Sequence, residues 1–154
     1  MLRKIYEQPL NPQLATIPDA VQIERAPDLK GVKVLVADDE RDARNALAMA
    51  LGLCGAQVET AHNADEALKA AGATNFDVVL TDLAMPNGDG FSLLRGLRLR
   101  QKKMPVIALS AMRGPQIEKE VKDAGFSLHV DKPIELSYIT AAVADMAFWN
   151  KNKN

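Results

Sequence analysis

Short apolar runs alternate with stretches of helical periodicity along most of the chain, and this alternation restricts the fold more than any other feature. Residues 33–37 form the first run, and apolar residues then recur at helical spacing through residues 43–54. Further runs, each followed by a helical pattern, lie at 57–61, 77–81, 105–109 and 128–130. Five strands alternating with five helices predict βαβ units, and therefore an α/β fold with a parallel sheet covered on both faces.

Residues that favour helix termini stand near the expected ends of the helices. Three of the later helices are predicted from apolar residues that recur at helical spacing within 64–71, 117–124 and 139–146, and the third helix is predicted from 89 to about 100. Asn63 or Asp65 is placed to cap the second helix at its start. Gly55, Gly72 and Gly125 are expected to follow the first, second and fourth helices, because glycine readily adopts the backbone conformation that ends a helix.

The chain has 154 residues, which suits one domain with a short extension. Residues 1–30 contain four prolines and sustain neither strand nor helix periodicity, so we expect an N-terminal arm or linker. Regular patterning begins at residue 31, which predicts a folded domain over 31–149 and a C-terminal tail over 150–154.

Charge, cysteine content and hydropathy exclude several classes of function. The formal net charge is -1 and no basic patch stands out, which argues against direct nucleic-acid binding. Cys54 is the single cysteine, so an internal disulfide is excluded and a reducing cytoplasmic setting is expected. The longest apolar stretch, 46–56, is too short for a bilayer span, and the N-terminus lacks the apolar region of a signal peptide. We therefore expect no membrane insertion.

Polar residues cluster where the predicted strands end. Ligands of doubly wound sheets bind beyond the carboxyl ends of the strands, so these positions are candidates for chemistry. They are Asp38, Asp39 and Glu40 after the first strand, Asp82 after the third, Ser110 after the fourth and Lys132 after the fifth.

Carboxylates brought close together repel one another and call for a cation. Mg²⁺ suits such a site because it prefers oxygen ligands and is commonly held by one or two carboxylates with phosphate and water. A carboxylate beside Mg²⁺ can also attack phosphorus as a nucleophile. Lys132 offers a positive charge to a phosphoryl group, and Ser110 offers a hydrogen-bond donor.

Each of these residues has an ordinary structural explanation when it is taken alone. A strand-end aspartate usually forms a turn or caps a helix, Ser110 could be a simple turn residue, and Lys132 could be a solvated charge. The agreement of the strand ends with one another is what predicts a functional site.

Four stretches of the sequence resemble the receiver domains of two-component response regulators. They are VLVADDE at 34–40, DVVLTDLAMPNGDGF at 77–91, PVIALSA at 105–111 and DKP at 131–133. The resemblance spans residues 31–148 and implies a flavodoxin-like fold, with five parallel strands in the order 2-1-3-4-5 and five helices. Residues 28–32 and the pattern at 124–133 are most similar to receivers attached to hybrid histidine kinases.

The resemblance also implies a role for each matching site residue. Asp82 matches the phosphoacceptor. Asp38, Asp39 and Asp82 match the acids that hold Mg²⁺, with Mn²⁺ as an alternative and the backbone carbonyl of Ala84 as a further ligand.

Ser110 matches the switch hydroxyl and Lys132 the lysine that pairs with the phosphoryl group. The bond before Pro133 is expected to be cis, as it often is in this family.

Three further positions matched by the resemblance bear on switching and on the lifetime of the phosphorylated state. His129 occupies a place usually held by Tyr or Phe, and its ring either couples switching to pH or is simply a packed ring. Ala84 and Met112 occupy positions that influence attack of water on the phosphorylated aspartate. Neither side chain can orient a water molecule by a hydrogen bond, so we expect a long-lived phosphorylated state.

The function that the resemblance implies is a signalling module of a two-component or phosphorelay system. It would accept a phosphoryl group from a phosphohistidine of a histidine kinase or a histidine phosphotransfer protein. It would then switch the surface of helix 4, strand 5 and helix 5 toward a downstream protein target. The phosphotransfer and dephosphorylation would be self-catalysed, without a separate enzymatic turnover. A homodimer, a free-standing regulator and a fragment of a hybrid kinase all stay open.

Other classes of function fit the sequence less well. An aspartyl phosphatase usually needs a second acid two residues after its nucleophile, where this chain has Ala84. A nucleotide-binding enzyme is disfavoured because neither G-x-G-x-x-G after the first strand nor G-x-x-x-x-G-K-[ST] occurs. A phosphate-independent interaction module is disfavoured by the complete acidic set.

Overall fold

Residues 26–86 and 88–152 are described in the computed structural model. Most of the predicted N-terminal arm, Asn87 and the last two residues of the predicted tail therefore lie outside the described residues. The strands are β1 (Lys33–Ala37), β2 (Gln57–Ala61), β3 (Val78–Asp82), β4 (Val106–Ser110) and β5 (Leu128–Asp131). The helices are α1 (Arg41–Leu53), α2 (Ala64–Ala73), α3 (Gly90–Leu99), α4 (Pro115–Ala124) and α5 (Leu136–Asn152).

The strands form one parallel sheet in the order β2-β1-β3-β4-β5, which confirms the predicted flavodoxin-like topology. Val36 of β1 lies opposite both Thr60 of β2 and Leu80 of β3, so β1 is paired on both sides. The chain passes from β1 to β2 on one side and then returns to place β3 on the other. This reversal opens a crevice at the carboxyl ends of β1 and β3, where ligands of such sheets bind.

Two apolar layers cover the faces of the sheet. The layer that packs under α1 and α5 includes Leu47, Leu51, Ile139 and Val143. The opposite layer packs under α2, α3 and α4 and includes Ala67, Leu93, Leu97 and Val121. Burying one large aliphatic side chain contributes about 1.5–3 kcal/mol, so these layers fix the sheet on which the strand ends are mounted.

Most of the residues predicted to cap or to follow a helix are confirmed, although α5 extends beyond the residues 139–146 that predicted it. The Asn63 side chain accepts a hydrogen bond from the backbone N–H of Glu66 at 2.8 Å and so caps α2. Gly55 and Gly125 adopt φ angles of +104° and +103° after α1 and α4. The prediction for Gly72 is wrong, because it lies inside α2. The helix continues to Ala73, where the N–H of Thr74 donates to the carbonyl of Ala70.

The structure also shows how residues near the predicted domain boundaries are held. Leu29 is fully buried, and its N–H donates to the Cys54 carbonyl at 2.7 Å, although it belongs to the segment predicted as an arm. The tail boundary at residue 150 falls within α5, where Asn150 donates to the carbonyl of Asp77 at 3.5 Å. Of the helices described here, none has the length and hydropathy needed to cross a bilayer.

Candidate functional site

Three aspartates meet at the carboxyl ends of β1 and β3, as the sequence predicted. One carboxylate oxygen from each of Asp38, Asp39 and Asp82 lies within 4.8 Å of the other two. Asp38 is fully buried and Asp82 is 8% exposed, whereas Asp39 is exposed. The cluster is therefore open to solvent on one side and closed by the sheet on the other.

Backbone contacts and one arginine hold the Asp38 end of the cluster. The N–H of Asp38 donates to the carbonyl of Ala61 at 3.1 Å, which extends the β1–β2 pairing by one residue. Its carboxylate accepts the N–H of Glu40 at 2.9 Å, and its carbonyl accepts a hydrogen bond from Arg44 at 2.8 Å. Sequence reasoning missed the role of Arg44. The only feature that points to it is its position in the first turn of α1, directly after the acidic residues.

Lys132 lies between the two buried carboxylates. Its Nζ is 3.0 Å from Asp82 Oδ2 and 3.1 Å from Asp38 Oδ2, so one ammonium binds both acids. Burial acts to lower the pKa of Lys132, but the hydrogen bonds that its ammonium donates to Asp82 and Asp38 raise the pKa overall above its ordinary value. The lysine therefore stays charged and partly offsets the repulsion within the cluster.

The carboxylate of Asp82 is held by both of its oxygens. Oδ1 accepts the backbone N–H of Ala84 at 3.1 Å, while Oδ2 accepts Lys132. Burial raises the pKa of this carboxyl above its ordinary value, and the Lys132 hydrogen bond opposes that shift. Gly90 allows α3 to start against this strand end, since a Cβ there would lie 2.6 Å from the carbonyl oxygen of Asp82.

Ser110 ends β4, is 1% exposed, and is engaged by its own loop. Its Oγ accepts the N–H of Met112 at 2.9 Å and donates to the Met112 carbonyl at 3.3 Å. The backbone carbonyl of Ser110 accepts the N–H of Lys132 at 2.8 Å, which ties the ends of β4 and β5 together. The serine and the lysine are thus neighbours, as predicted. The peptide bond between Lys132 and Pro133 is cis.

His129 is 2% exposed on β5. Its Nε2 finds no hydrogen-bond partner within 26–86 and 88–152, and it lies 3.9 Å from Asp131 Oδ1. Burial lowers the pKa of His129, and the charge of Asp131 acts against that shift. Ala84 and Met112, the two predicted lifetime-tuning residues, are both exposed, with Ala84 bound to Asp82 and Met112 bound to Ser110.

Replacing His129 with Phe is expected to flatten the pH dependence of stability. The pKa of His129 is lower in the folded state than its unfolded value of 6.5, so the unfolded chain takes up the proton first as pH falls. The parent should lose stability below about pH 6.5, and the variant should lack this contribution. Unfolding temperatures of both proteins at pH 8 and pH 5.5 measure the difference. Equal losses in the two proteins would contradict the assignment.

The aspartate cluster has the chemistry of a magnesium site. All its donors are carboxylate oxygens, which Mg²⁺ prefers, and the open side leaves room for water and phosphate oxygens. The two buried acids carry more negative charge than the single Lys132 ammonium offsets. The residues present therefore fit a divalent cation.

Comparison with known proteins agrees with this geometry. Residues 34–144 match the family model described as the response regulator receiver domain. The chain belongs to this family. Receiver domains are signalling domains that accept phosphoryl groups from histidine kinases or phosphotransfer proteins and bind Mg²⁺ in an acidic pocket.

Similar proteins include both hybrid kinases and response regulators. The chain is 32% identical over 112 residues to the sensor histidine kinase RcsC of Escherichia coli, which covers 73% of this chain. It is 33% identical over 110 residues to the response regulator MprA of Mycobacterium ulcerans, which covers 71% of this chain. The chain spans only 12% of the length of RcsC and 47% of that of MprA.

Solved receiver structures share the fold. The receiver domain of the Francisella response regulator 1452 aligns with a TM-score of 0.73 at 30% identity and covers 77% of this chain and 98% of that one. Chemotaxis protein CheY4 of Vibrio cholerae aligns with a TM-score of 0.70 at 29% identity, with 73% and 95% covered.

Proposed function

We propose that this receiver domain accepts a phosphoryl group onto Asp82 and uses it to switch a protein-binding surface. One observation carries the proposal: the Lys132 ammonium lies 3.0 Å from a buried carboxylate that stands within a cluster of three acids. A carboxylate with an adjacent cation and further acids for a metal has the groups that phosphoryl transfer requires.

In the proposed reaction a carboxylate oxygen of Asp82 attacks the phosphorus of a phosphohistidine. The new O–P bond forms as the N–P bond breaks, and the electron pair leaves with the donor imidazole. Mg²⁺ or Mn²⁺, held by Asp38, Asp39, Asp82 and the carbonyl of Ala84, would neutralise charge on the phosphoryl oxygens. The backbone N–H of Ala84 keeps the attacking carboxylate oriented.

Lys132 and Ser110 recognise the phosphorylated product. Phosphorylation places close to two negative charges beside the ammonium of Lys132, which already reaches Asp82. The hydroxyl of Ser110 can turn from the Met112 carbonyl to a phosphoryl oxygen, since that existing bond is long at 3.3 Å. Movement of the loop between β4 and α4 then repacks the α4–β5–α5 surface.

The switch is a shift between two arrangements of one fold. His129 lies on β5, which is part of this surface. Its ring is proposed to fill the space that the loop between β4 and α4 leaves when it moves. The downstream partner is a protein, and no nucleic acid is required. Because its donor is a phosphohistidine protein and Cys54 is a free thiol, we place the domain in the cytoplasm.

Phosphotransfer is proposed to be self-catalysed, so a small phosphodonor should suffice. Incubation with acetyl phosphate and Mg²⁺ is expected to add the mass of one phosphoryl group to the intact chain. Addition of EDTA should prevent the gain, because it removes the metal that would neutralise the acidic cluster together with Lys132. No gain in mass, or an equal gain with EDTA, would refute the proposal.

Replacing Ala84 with Asn is expected to change the lifetime of the phosphorylated state. Ala84 is exposed beside the Asp82 carboxylate, and an amide side chain there could orient a water molecule toward the phosphorus. We expect dephosphorylation to accelerate by about tenfold, which is less than the roughly 10²–10⁴-fold of a positioned general acid or base, because the amide would orient the water without taking its proton. Decay of the phosphorylated mass after removal of the donor measures the rate, and an unchanged half-life would count against the role of this position.

A further inference from the structure

We propose that Arg113 is a positioning residue that latches the loop between β4 and α4 to Lys132 and opposes switching. The inference rests on the proposed function, because it concerns the two residues that recognise the phosphoryl group. It adds a residue for which the family resemblance gives no role. We call residues 110–114, which are the last residue of β4 and the four residues before α4, the switch loop.

The switch loop forms hydrogen bonds with both polar backbone groups of Lys132. The guanidinium Nη2 of Arg113 donates to the Lys132 carbonyl at 2.9 Å. The Lys132 N–H donates to the carbonyl of Ser110 at 2.8 Å. Both polar backbone groups of the lysine are therefore bound by one short loop, although the residues of the latch are 19 apart in sequence.

The bond from Arg113 to Lys132 is present in the arrangement in which the Ser110 hydroxyl is bound to Met112. In the structure the Ser110 hydroxyl donates to the Met112 carbonyl, next to Arg113 in the chain. When that hydroxyl turns to a phosphoryl group on Asp82, it also gives up the bond of 2.9 Å that its Oγ accepts from the Met112 N–H, so the switch loop loses both of its bonds to Ser110 and moves. Lys132 cannot follow freely, because its side chain is bound to two carboxylates and its backbone continues from β5.

Loop movement therefore separates the guanidinium from the Lys132 carbonyl. A bond made in only one of two states stabilises that state, so Arg113 favours the unphosphorylated arrangement. Removing the bond should shift the equilibrium toward the arrangement that binds a phosphoryl group. One net hydrogen bond corresponds to a change of about three- to tenfold in an equilibrium constant.

The test is the affinity of the full chain for beryllofluoride, a phosphoryl mimic, in the presence of Mg²⁺. Arg113→Gln should bind it about three- to tenfold more tightly than the parent by calorimetry. Arg95→Gln, which makes the same charge change at an exposed position on α3, should bind like the parent. The amide NMR signal of Met112 in the ligand-free protein should shift toward its beryllofluoride-bound position only in Arg113→Gln.

Two results would overturn the proposal. Equal or weaker beryllofluoride binding by Arg113→Gln, with or without a lower unfolding temperature, would show that the contact is structural and does not bias the switch. Equal tightening in Arg95→Gln would show a general effect of removing positive charge. If the parent itself binds no beryllofluoride, the proposed function fails together with the latch, which separates that outcome from failure of the latch alone.

Discussion

Asp82→Asn is expected to reduce phosphoryl labelling by acetyl phosphate to background, a loss on the order of 100-fold or more. The amide keeps nearly the shape of the carboxylate and can still accept the Ala84 N–H, so the fold should be retained. It carries no negative charge and is a far weaker nucleophile toward phosphorus. The mass of the intact chain after incubation with the donor and Mg²⁺ gives the extent of labelling.

A matched control separates loss of the nucleophile from loss of one negative charge. Asp89 caps α3 through a hydrogen bond from the N–H of Ser92 at 2.9 Å, and asparagine can make the same cap. Asp89→Asn should therefore be labelled like the parent. Labelling of Asp82→Asn at the parental rate would refute the assignment of the phosphoacceptor.

Of the substitutions considered, Lys132→Met is expected to lower the free energy of unfolding the most. The substitution keeps an unbranched apolar stem but removes the cation from two carboxylates, of which Asp38 is fully buried. Removing one partner of a buried ion pair costs about 3–5 kcal/mol, and the partial exposure of Lys132 reduces this to about 2–3 kcal/mol in Mg²⁺-free buffer near pH 7. Urea unfolding measures the change in the free energy of unfolding.

Magnesium provides a second measurement on the same variant. In Lys132→Met the carboxylates of Asp38 and Asp82 lack their lysine. Added Mg²⁺ should therefore raise the stability of this variant more than it raises that of the parent. Lys119→Met removes an exposed lysine paired with Asp123 and should leave the free energy of unfolding close to that of the parent. An equal effect of Mg²⁺ on Lys132→Met and the parent would contradict a cation site shared by these acids.

The apolar runs and their alternation with helices were enough to predict the sheet and its helices. Burial explains this success, because β3 and β4 are buried at every position and so begin with continuous apolar runs, which precede the polar residues at their carboxyl ends. The strand order came from the family resemblance. The site followed from both, since parallel strands bring Asp38, Asp82 and Ser110 to one edge wherever the intervening helices lie.

Sequence reasoning did not predict how the side chains around this edge are connected. Lys132 was predicted to bind a phosphoryl group, whereas without one it binds the carboxylates of Asp38 and Asp82. The contacts of Arg44 and Arg113 were missed because both arginines bind backbone carbonyls brought near by folding. A long side chain has many rotamers, and the carbonyl it reaches depends on loop geometry that sequence periodicity does not specify.

Local misassignments have similar causes. Gly72 was read as a helix end because glycine favours such positions, but tertiary packing of α2 tolerates it within the last turn. The third strand begins one residue later than predicted, and the Asp77 carboxylate just before it accepts the backbone N–H of Lys33 at 2.8 Å. The strand also ends one residue later, at Asp82, which pairs with Leu109 of β4.

The location of the phosphoryl group on the chain is the most direct test of the central claim. An acyl phosphate on aspartate is reduced by borohydride to homoserine, which peptide mass spectrometry can assign to one position. After labelling with acetyl phosphate and Mg²⁺, we expect homoserine at position 82 and unmodified aspartate at 38 and 39. Homoserine at another aspartate, or a phosphoryl group on serine or histidine that survives the borohydride treatment, would contradict the account.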